Sequence, residues 1–139
     1  MGEDERKSDK RLHLQFVQNV ITRMNTNSFQ IKTWTITVFA AFLALAANSK
    51  NYIFVFISVF PTLIFYFLDA YYLQQERKFR GLYNDIIAGK IDCYNMPINL
   101  YKGDKYSYKN VLLSVTLWGF YPSISVFSVI LTFIGWLVF

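Results

Sequence analysis

Three long stretches of the chain contain no charged residue and no histidine, and they limit the possible folds more than any other feature. They run over residues 33–49, 51–68 and 110–139. A transmembrane helix needs about 20 predominantly apolar residues, whereas a small soluble core would interleave such stretches with charge. With 54% hydrophobic and 19% aromatic residues, the chain is also too apolar for a soluble domain of this size. The sequence therefore predicts an all-α membrane protein with three transmembrane helices.

We expect one membrane domain over residues 1–139. Its predicted parts, in chain order, are a disordered tail (1–9), an amphipathic helix (10–26), a first span (31–48), a second span extended as a long cytoplasmic helix (51–88), a cytoplasmic loop (90–107), an interfacial helix (108–119) and a third span (121–139). Since no charge precedes Asp69 in the second span and no helix-ending signal follows it, residues 51–88 are expected to form one rod of about 55 Å. About half of that rod must lie outside a hydrocarbon core of about 30 Å.

Polar residues, prolines and glycines give the predicted boundaries. Asn25–Ser28 are expected to form a bend before the first span, and Gly89 is expected at the C′ position that ends the rod. Pro61 can kink the second span. A break at Tyr121 and Pro122 is expected to begin the third span, and the alternative is one kinked helix from Lys109 onward.

The amphipathic helix needs a partner for its apolar face, which consists of Leu12, Phe16, Val17, Val20, Ile21 and Met24. The opposite face carries mostly amide side chains rather than basic ones. We therefore expect this helix to pack on the cytoplasmic half of the rod, whose apolar residues recur at similar spacing, rather than to lie on the membrane surface. Those residues are Phe79, Leu82, Tyr83, Ile86 and Ile87.

The net charge of +5 is distributed unevenly. The basic residues before the first span are Arg6, Lys7, Lys10, Arg11, Arg23 and Lys32, and those between the second and third spans are Arg77, Lys78, Arg80, Lys90, Lys102, Lys105 and Lys109. Only Lys50 lies in the turn between the first two spans. The positive-inside rule then places the N-terminus in the cytoplasm and Phe139 at the outer face. Because these charges already account for orientation, we expect no nucleic-acid partner.

Asp69 is the first candidate functional residue, since it is a carboxylate at the cytoplasmic end of a span. It shares a face with Ser58, Thr62 and Tyr66, and a second polar stripe on the third span consists of Ser125, Ser128 and Thr132. These residues could line an ion or proton path. In the alternative they pack helices together, with Asp69 paired to a cation such as Lys32 or Arg23 or hydrogen-bonded to tyrosines of a neighbouring helix.

No catalytic, cofactor-binding or metal-binding constellation is evident, so we expect neither an enzyme nor a cofactor. Cys93 is the single cysteine and is expected to be a reduced thiol, and His13 is the single histidine, expected on a polar face or at a boundary. Glu76 and Arg80 are four residues apart and are expected to form a solvent-exposed ion pair that stabilises the helix.

Small residues on the first span indicate self-association. Thr33, Thr37, Ala40, Ala44 and Ala47 follow one stripe, which permits close helix approach. Three short spans cannot cover all such surfaces within one chain, so we expect a homo-oligomer.

Two blocks of sequence carry a family resemblance. HLQFVQNVITRMNTNSFQIKTW (13–34) and FLDAYYLQQERKFRGLYNDI (67–86) resemble the RipA-like family of small octameric bacterial inner-membrane proteins, over roughly the first two thirds of the chain. The matching positions are Gln18, Arg23, Met24, Asn25, Ser28, Trp34, Asp69, Tyr71, Tyr72, Glu76 and Tyr83. The resemblance implies a multi-pass protein of the bacterial cytoplasmic membrane that assembles into a ring of eight with a cytoplasmic helical layer. It implies no catalytic site.

Two functions remain open from the sequence. One is a homo-oligomeric assembly or interaction scaffold in the inner membrane, whose cytoplasmic helices could dock a protein partner. The other is an oligomeric ion channel or membrane-disrupting effector gated from the cytoplasmic side. They differ in whether Ser58, Thr62 and Asp69 face a wet central axis or a protein contact.

Overall fold

The protein is a bundle of long helices, seen in a computed structural model that describes residues 2–92 and 94–138. The helices are α1 (Glu3–Ser49), α2 (Ile53–Ile57), α3 (Val59–Ile87), α4 (Tyr108–Leu112) and α5 (Val115–Val138). The described residues contain no β-strand. Glu3–Ser49, the α2–α3 segment Ile53–Ile87 and Val115–Val138 are each long and apolar enough to cross a membrane. The predicted all-helical class with three such helices is therefore confirmed.

Helix α1 differs from the prediction because it is one continuous helix. Neither the disordered tail before residue 10 nor the bend at Asn25–Ser28 is present. Acidic residues in the first turn suit the positive end of the helix dipole, and the Glu5 carboxylate accepts a hydrogen bond from the Gly2 backbone N–H at 3.1 Å. No glycine or proline occurs between residues 3 and 49, so the polar residues at 25–28 lower helix propensity without ending the helix.

One stripe of α1 is buried along almost its whole length, against the antiparallel α2–α3 segment. It comprises His13, Val17, Ile21, Ser28, Ile31, Thr35 and Ala46. The predicted packing of the N-terminal half of α1 on the end of α3 is confirmed by one core of Val17, Ile21, Leu82 and Ile86, which Tyr101 completes. The prediction for His13 was wrong: it precedes Val17 by one turn and is fully buried.

The predicted single rod is interrupted at Ser58, between α2 and α3. Pro61 lies in the first turn of α3 and has no N–H to donate to the Ile57 carbonyl, so the helix is weakest one turn before the proline. At this interruption the Ser58 hydroxyl donates to the Val55 carbonyl at 2.6 Å. The two helices together form one apolar segment, Ile53–Ile87, of 35 residues.

Gly89 ends α3 as predicted. It has φ +74, and the Lys90 and Gly89 N–H groups donate to the Asp85 and Ile86 carbonyls at 3.0 and 3.1 Å. This pair of bonds is the Schellman motif, which requires the left-handed backbone that glycine adopts most readily.

The segment after α3 is ordered and docks on the helix through aromatic side chains. It contains two 3-10 turns, Ile98–Leu100 and Asp104–Tyr106. The Tyr101 hydroxyl donates to Asp85 Oδ2 at 2.8 Å, and the Tyr101 and Tyr106 rings meet edge to face against α3. Burial, together with the hydrogen bond to the Asp85 carboxylate, raises the pKa of Tyr101 above its ordinary value. The prediction for Cys93 lies outside the described residues.

The predicted interfacial helix (108–119) and the predicted break at Tyr121 and Pro122 are both wrong. Only α4 forms a short separate helix, and α5 begins at Val115 and continues through Pro122. The break lies at Leu113 and Ser114 instead, where the Ser114 carbonyl accepts the Leu117 and Trp118 N–H groups at 3.1 and 2.9 Å. Apolar helices tolerate an internal proline when neighbouring groups satisfy the freed backbone. Phe139 lies outside the described residues.

Helix α5 packs antiparallel to the α2–α3 segment, and Gly135 marks the closest approach. The Tyr52 ring, at the start of α2, lies directly over the Gly135 backbone, so a side chain added there would overlap the ring. Gly119, in the same helix, has open space around its Cα.

We expect Gly135→Ala to destabilise the protein while Gly119→Ala does not. Overpacking against Tyr52 should cost about 1–3 kcal/mol, partly offset by the better helix propensity of alanine, about 1 kcal/mol. At Gly119 only the gain in propensity remains. Thermal unfolding in detergent, followed by circular dichroism, compares the two variants with the parent chain. Equal midpoints for both would contradict the close contact.

Candidate functional site

The three long helices meet at the carboxylate of Asp69, which is fully buried. Its Oδ2 accepts hydrogen bonds from Lys32 Nζ at 2.5 Å and from the Tyr121 hydroxyl at 2.8 Å. Its Oδ1 accepts the Ser28 hydroxyl. Lys32 and Ser28 come from α1 and Tyr121 comes from α5, so one carboxylate joins three helices. We call these four residues the Asp69 cluster.

Helical spacing on α1 brings two of the donors together. Ser28 and Lys32 are four residues apart and therefore project from one side of the helix. Lys32 Nζ also donates a hydrogen bond to Ser28 Oγ at 2.9 Å, and the Ser28 hydroxyl in turn donates to Asp69 Oδ1. The ammonium thus contacts the carboxylate both directly and through the serine hydroxyl, and such connected bonds strengthen one another in a low-dielectric surrounding.

The electrostatics of the cluster are those of a buried ion pair with satisfied hydrogen bonds. The Lys32 side chain is 19% exposed and that of Asp69 is 0% exposed. Removing one partner of such a pair leaves an uncompensated buried charge, which is far more costly than losing an exposed pair. Each carboxylate oxygen already accepts at least one donor, so the cluster reads as a structural junction rather than as a reactive group.

The cluster lies at a shared boundary of the three helices. On α1, Lys32 is the last charged residue before the charge-free stretch 33–49, and on α3, Asp69 directly follows the charge-free stretch 51–68. The Tyr121 hydroxyl reaches the same level from the first turns of α5. The charge-free part of α2–α3 is about 25 Å long at about 1.5 Å per residue, close to the hydrocarbon thickness of about 30 Å.

Two tyrosines fix α4 beside the cluster. The Tyr66 hydroxyl donates to the Leu112 carbonyl at 2.8 Å, and the Tyr108 hydroxyl donates to the Phe67 carbonyl, also at 2.8 Å. These reciprocal bonds satisfy carbonyls at the end of α4 and in α3. They hold the α4–α5 connection at the level of Asp69.

The predicted polar stripes face each other inside the chain. Ser58 Oγ and Ser128 Oγ are 3.3 Å apart and both residues are fully buried, as is nearly all of Thr62. Ser125 and Thr132 are partly buried and donate to backbone carbonyls one turn earlier in α5, at 3.1 and 2.8 Å. Within one chain the two stripes therefore form a contact between helices.

The positions that carry the family resemblance divide into three groups. Ser28 and Asp69 lie in the cluster, and Glu76 is buried in α3 and paired to Arg80 at 2.8 Å, so the prediction of a solvent-exposed pair was wrong for Glu76. Trp34 and Tyr72 line a cavity of about 100 Å³ beside the cluster. The remaining positions are exposed or partly buried on the helix surfaces: Gln18, Arg23, Met24, Asn25, Tyr71 and Tyr83.

The sequence did not identify Ser28 or Tyr121 as partners of Asp69, although tyrosines of a neighbouring helix were among the expected donors. Ser28 was assigned to a bend, and Tyr121 was assigned to a helix break because Pro122 follows it. The available signal was a tyrosine in the first turns of an otherwise apolar helix, where a buried phenol must find a partner. Among the described residues, no group of three histidine, cysteine, aspartate or glutamate side chains is placed to hold a metal ion.

We expect Asp69→Asn and Lys32→Met each to lower the free energy of unfolding by about 3–5 kcal/mol, because each leaves the other charge or its donors unpaired. The double variant should lose less than the sum of the two. A double-mutant cycle from thermal or denaturant unfolding in detergent measures the coupling.

Lys7→Met is the matched control for this cycle. Lys7 pairs with Glu3 at 2.9 Å on the same helix, but its side chain is 62% exposed. Its loss should change stability little. Additive losses for Asp69→Asn and Lys32→Met would show that the two side chains do not act as a pair.

Comparison with protein families, curated proteins and solved structures finds no match to this chain. The resemblance to the RipA-like family therefore stays a prediction.

Proposed function

We propose that this protein is a homo-oligomeric, multi-pass protein of the bacterial cytoplasmic membrane that serves as an assembly or interaction scaffold. Its three apolar helices lie in the lipid, and the ends of α1 and α3 with the segment between α3 and α4 form a helical layer in the cytoplasm. No enzymatic activity is part of the proposal.

One observation carries the proposal: the small-residue stripe of α1 is not covered by any other part of residues 2–92 and 94–138. Thr33, Thr37, Ala40, Ala44 and Ala47 are all exposed, on the side of α1 roughly opposite its buried stripe. The Thr33 and Thr37 hydroxyls donate to carbonyls of their own helix at 3.1 and 2.9 Å, so the stripe presents a smooth surface. In lipid, such surfaces support close packing of helices, which favours a second copy of the chain as neighbour.

The orientation follows from the charge distribution. Basic residues are numerous in the proposed cytoplasmic layer, whereas the turn between α1 and α2 carries only Lys50. The positive-inside rule then puts that turn at the outer face, and α5 runs outward toward its C-terminal end. The Asp69 cluster lies at the inner interface, where the energetic cost of a charge is lower than at the bilayer centre.

The cytoplasmic layer offers a surface for a protein partner. Leu12, Phe16 and Leu100 belong to this layer and are 42%, 43% and 72% exposed. Large apolar side chains exposed to water favour a contact with another protein surface. A ring of eight subunits, which the family resemblance implies, would repeat this surface around an axis.

The channel alternative has weaker support. Its proposed lining was the polar stripe of Ser58, Thr62 and Asp69, and these side chains are buried between helices of one chain. Their placement supports a packing role, as hydroxyl groups often have in membrane helices.

We expect the protein in lipid nanodiscs to have the mass of an oligomer, and Ala44→Leu to shift it toward the monomer. Leucine at position 44 would hold the neighbouring helix away from the stripe. Native mass spectrometry gives the subunit number. Leu45→Phe is the control, because it also enlarges an exposed side chain of the same helix but lies about 100° around the helix from Ala44, away from the stripe. A monomeric parent protein, or equal behaviour of the two variants, would contradict the proposal.

Purified protein in liposomes should pass no ions, whether or not the polar stripe is altered. The altered protein is Thr62→Val, which removes one hydroxyl from the polar stripe with little change of side-chain volume. Flux is measured with a fluorescent ion indicator under a membrane potential of either sign. Conductance by the parent protein that changes with Thr62→Val would favour the channel over the scaffold.

A further inference from the structure

A cavity of about 590 Å³ lies between the first turns of α1 and the end of α3, within the proposed cytoplasmic layer. Ligand pockets for small molecules typically have volumes of about 300–1,000 Å³. All the residues that line the cavity belong to one chain. The cavity is also separate from the Asp69 cluster, since His13 in its wall precedes Ser28 by about 22 Å of helix at about 1.5 Å per residue.

His13 supplies a buried hydrogen-bond donor at this cavity. The side chain is fully buried, and its Nδ1 accepts the Tyr94 backbone N–H at 3.2 Å. An accepting Nδ1 carries no proton, so the ring proton is on Nε2. Nε2 is buried and forms no hydrogen bond with any residue in the described part of the chain. Buried donors in folded proteins nearly always have an acceptor, which here must come from outside the described chain.

The other polar groups in the cavity wall are mainly cationic. Arg6, Lys7 and Lys10 line it, and Asp92 is the single carboxylate that does so. Three positive charges and one negative charge line the wall, and because Glu3 neutralises Lys7, an excess of one positive charge remains. The ammonium of Lys10 is held in place by donation to the Ile87 carbonyl at 3.0 Å, and that of Lys7 is paired with Glu3.

Arg6 is the cation best suited to a ligand. Its guanidinium forms no ion pair or side-chain hydrogen bond with residues 2–92 or 94–138. A guanidinium presents a planar fork of donors that matches two oxygens of a phosphate group. Arg6, Lys10 and His13 also follow one face of α1 at spacings of four and three residues.

We propose that this cavity binds a soluble phosphate-bearing anion, with Arg6 and Lys10 as charged contacts and the His13 Nε2–H as the donor beneath it. A phosphate offers mainly acceptor oxygens at neutral pH, which complements a wall that offers mainly donors. Since the His13 ring is fully buried, the proposal requires the side chains that cover it to move when the ligand enters. The distance from the apolar layer favours a ligand from solution over a lipid headgroup, although both carry the same phosphate chemistry.

The single histidine makes the test direct. Full-length protein labelled with 15N at histidine, without a histidine tag, gives one imidazole spectrum in nanodiscs of zwitterionic lipid. Inorganic phosphate and pyrophosphate are titrated at constant ionic strength, with chloride as the comparison anion. We expect a saturable shift of the Nε2 resonance with the phosphates and none with chloride.

Arg6→Gln and Arg11→Gln provide the matched comparison, since both remove one exposed arginine charge from the same helix and only Arg6 lines the cavity. Arg6→Gln should weaken binding by about tenfold, the usual effect of losing a charge-assisted hydrogen bond, and Arg11→Gln should leave it nearly unchanged. No saturable shift, or equal weakening in both variants, would overturn the site. In nanodiscs that contain phosphatidylglycerol, the shift could already be complete before phosphate is added. If free phosphate then changed nothing, the ligand would be a lipid headgroup and not a soluble anion.

Discussion

The structure depends on how one carboxylate is satisfied at a place where water has little access. Asp69 is fully buried and accepts donors from Ser28 and Lys32 on α1 and from Tyr121 on α5. A buried charge is tolerated only while it is paired and hydrogen-bonded. Any sliding or rotation of one helix would withdraw a donor, so this junction fixes the register of α1, α3 and α5 together.

Two kinds of interaction stabilise the two halves of the molecule. In the layer beyond the apolar segments, Val17, Leu82 and Tyr101 form a core of the ordinary hydrophobic kind. Between the apolar segments, lipid tails would be as favourable for leucine as another helix is, so burial alone selects no particular neighbour. Specificity there comes from shape and polar contacts, as where Tyr52 covers Gly135 and Ser58 meets Ser128.

The features that the sequence predicted correctly are those with a local cause. Charge-free stretches predict apolar helices from composition alone. Gly89 ends α3 because glycine adopts the left-handed backbone conformation without steric strain. The errors come from non-local causes. Residues 25–28 resemble a turn, yet Ser28 is held in α1 by its bond to Asp69, 41 positions away. Pro122 resembles a helix start, yet α5 passes through it and the adjacent Tyr121 is anchored to α3.

In the candidate site, too, the sequence predicted the local features and missed those that depend on distant residues. Asp69 and Lys32 were recognisable as a pair, because each is the charged residue that borders an apolar stretch. His13 was placed on a polar face or at a boundary because it lies near the start of an amphipathic helix, whereas its burial is set by the segment around Tyr94 that folds back onto α1. No periodicity within α1 reveals a contact with residues 81 positions away.

The continuity of α1 has a consequence for assembly that neither a tail nor a bend would have allowed. One unbroken helix carries the cavity residues Arg6 and His13, the cluster residues Ser28 and Lys32, and the small-residue stripe that includes Ala44. A second copy packed on the stripe would therefore be held at a fixed height relative to the Asp69 cluster and to the first turns of α1. Because the cluster also fixes α3 and α5 to α1, the orientation of each subunit in an oligomer would be set by a single helix rather than by its loops.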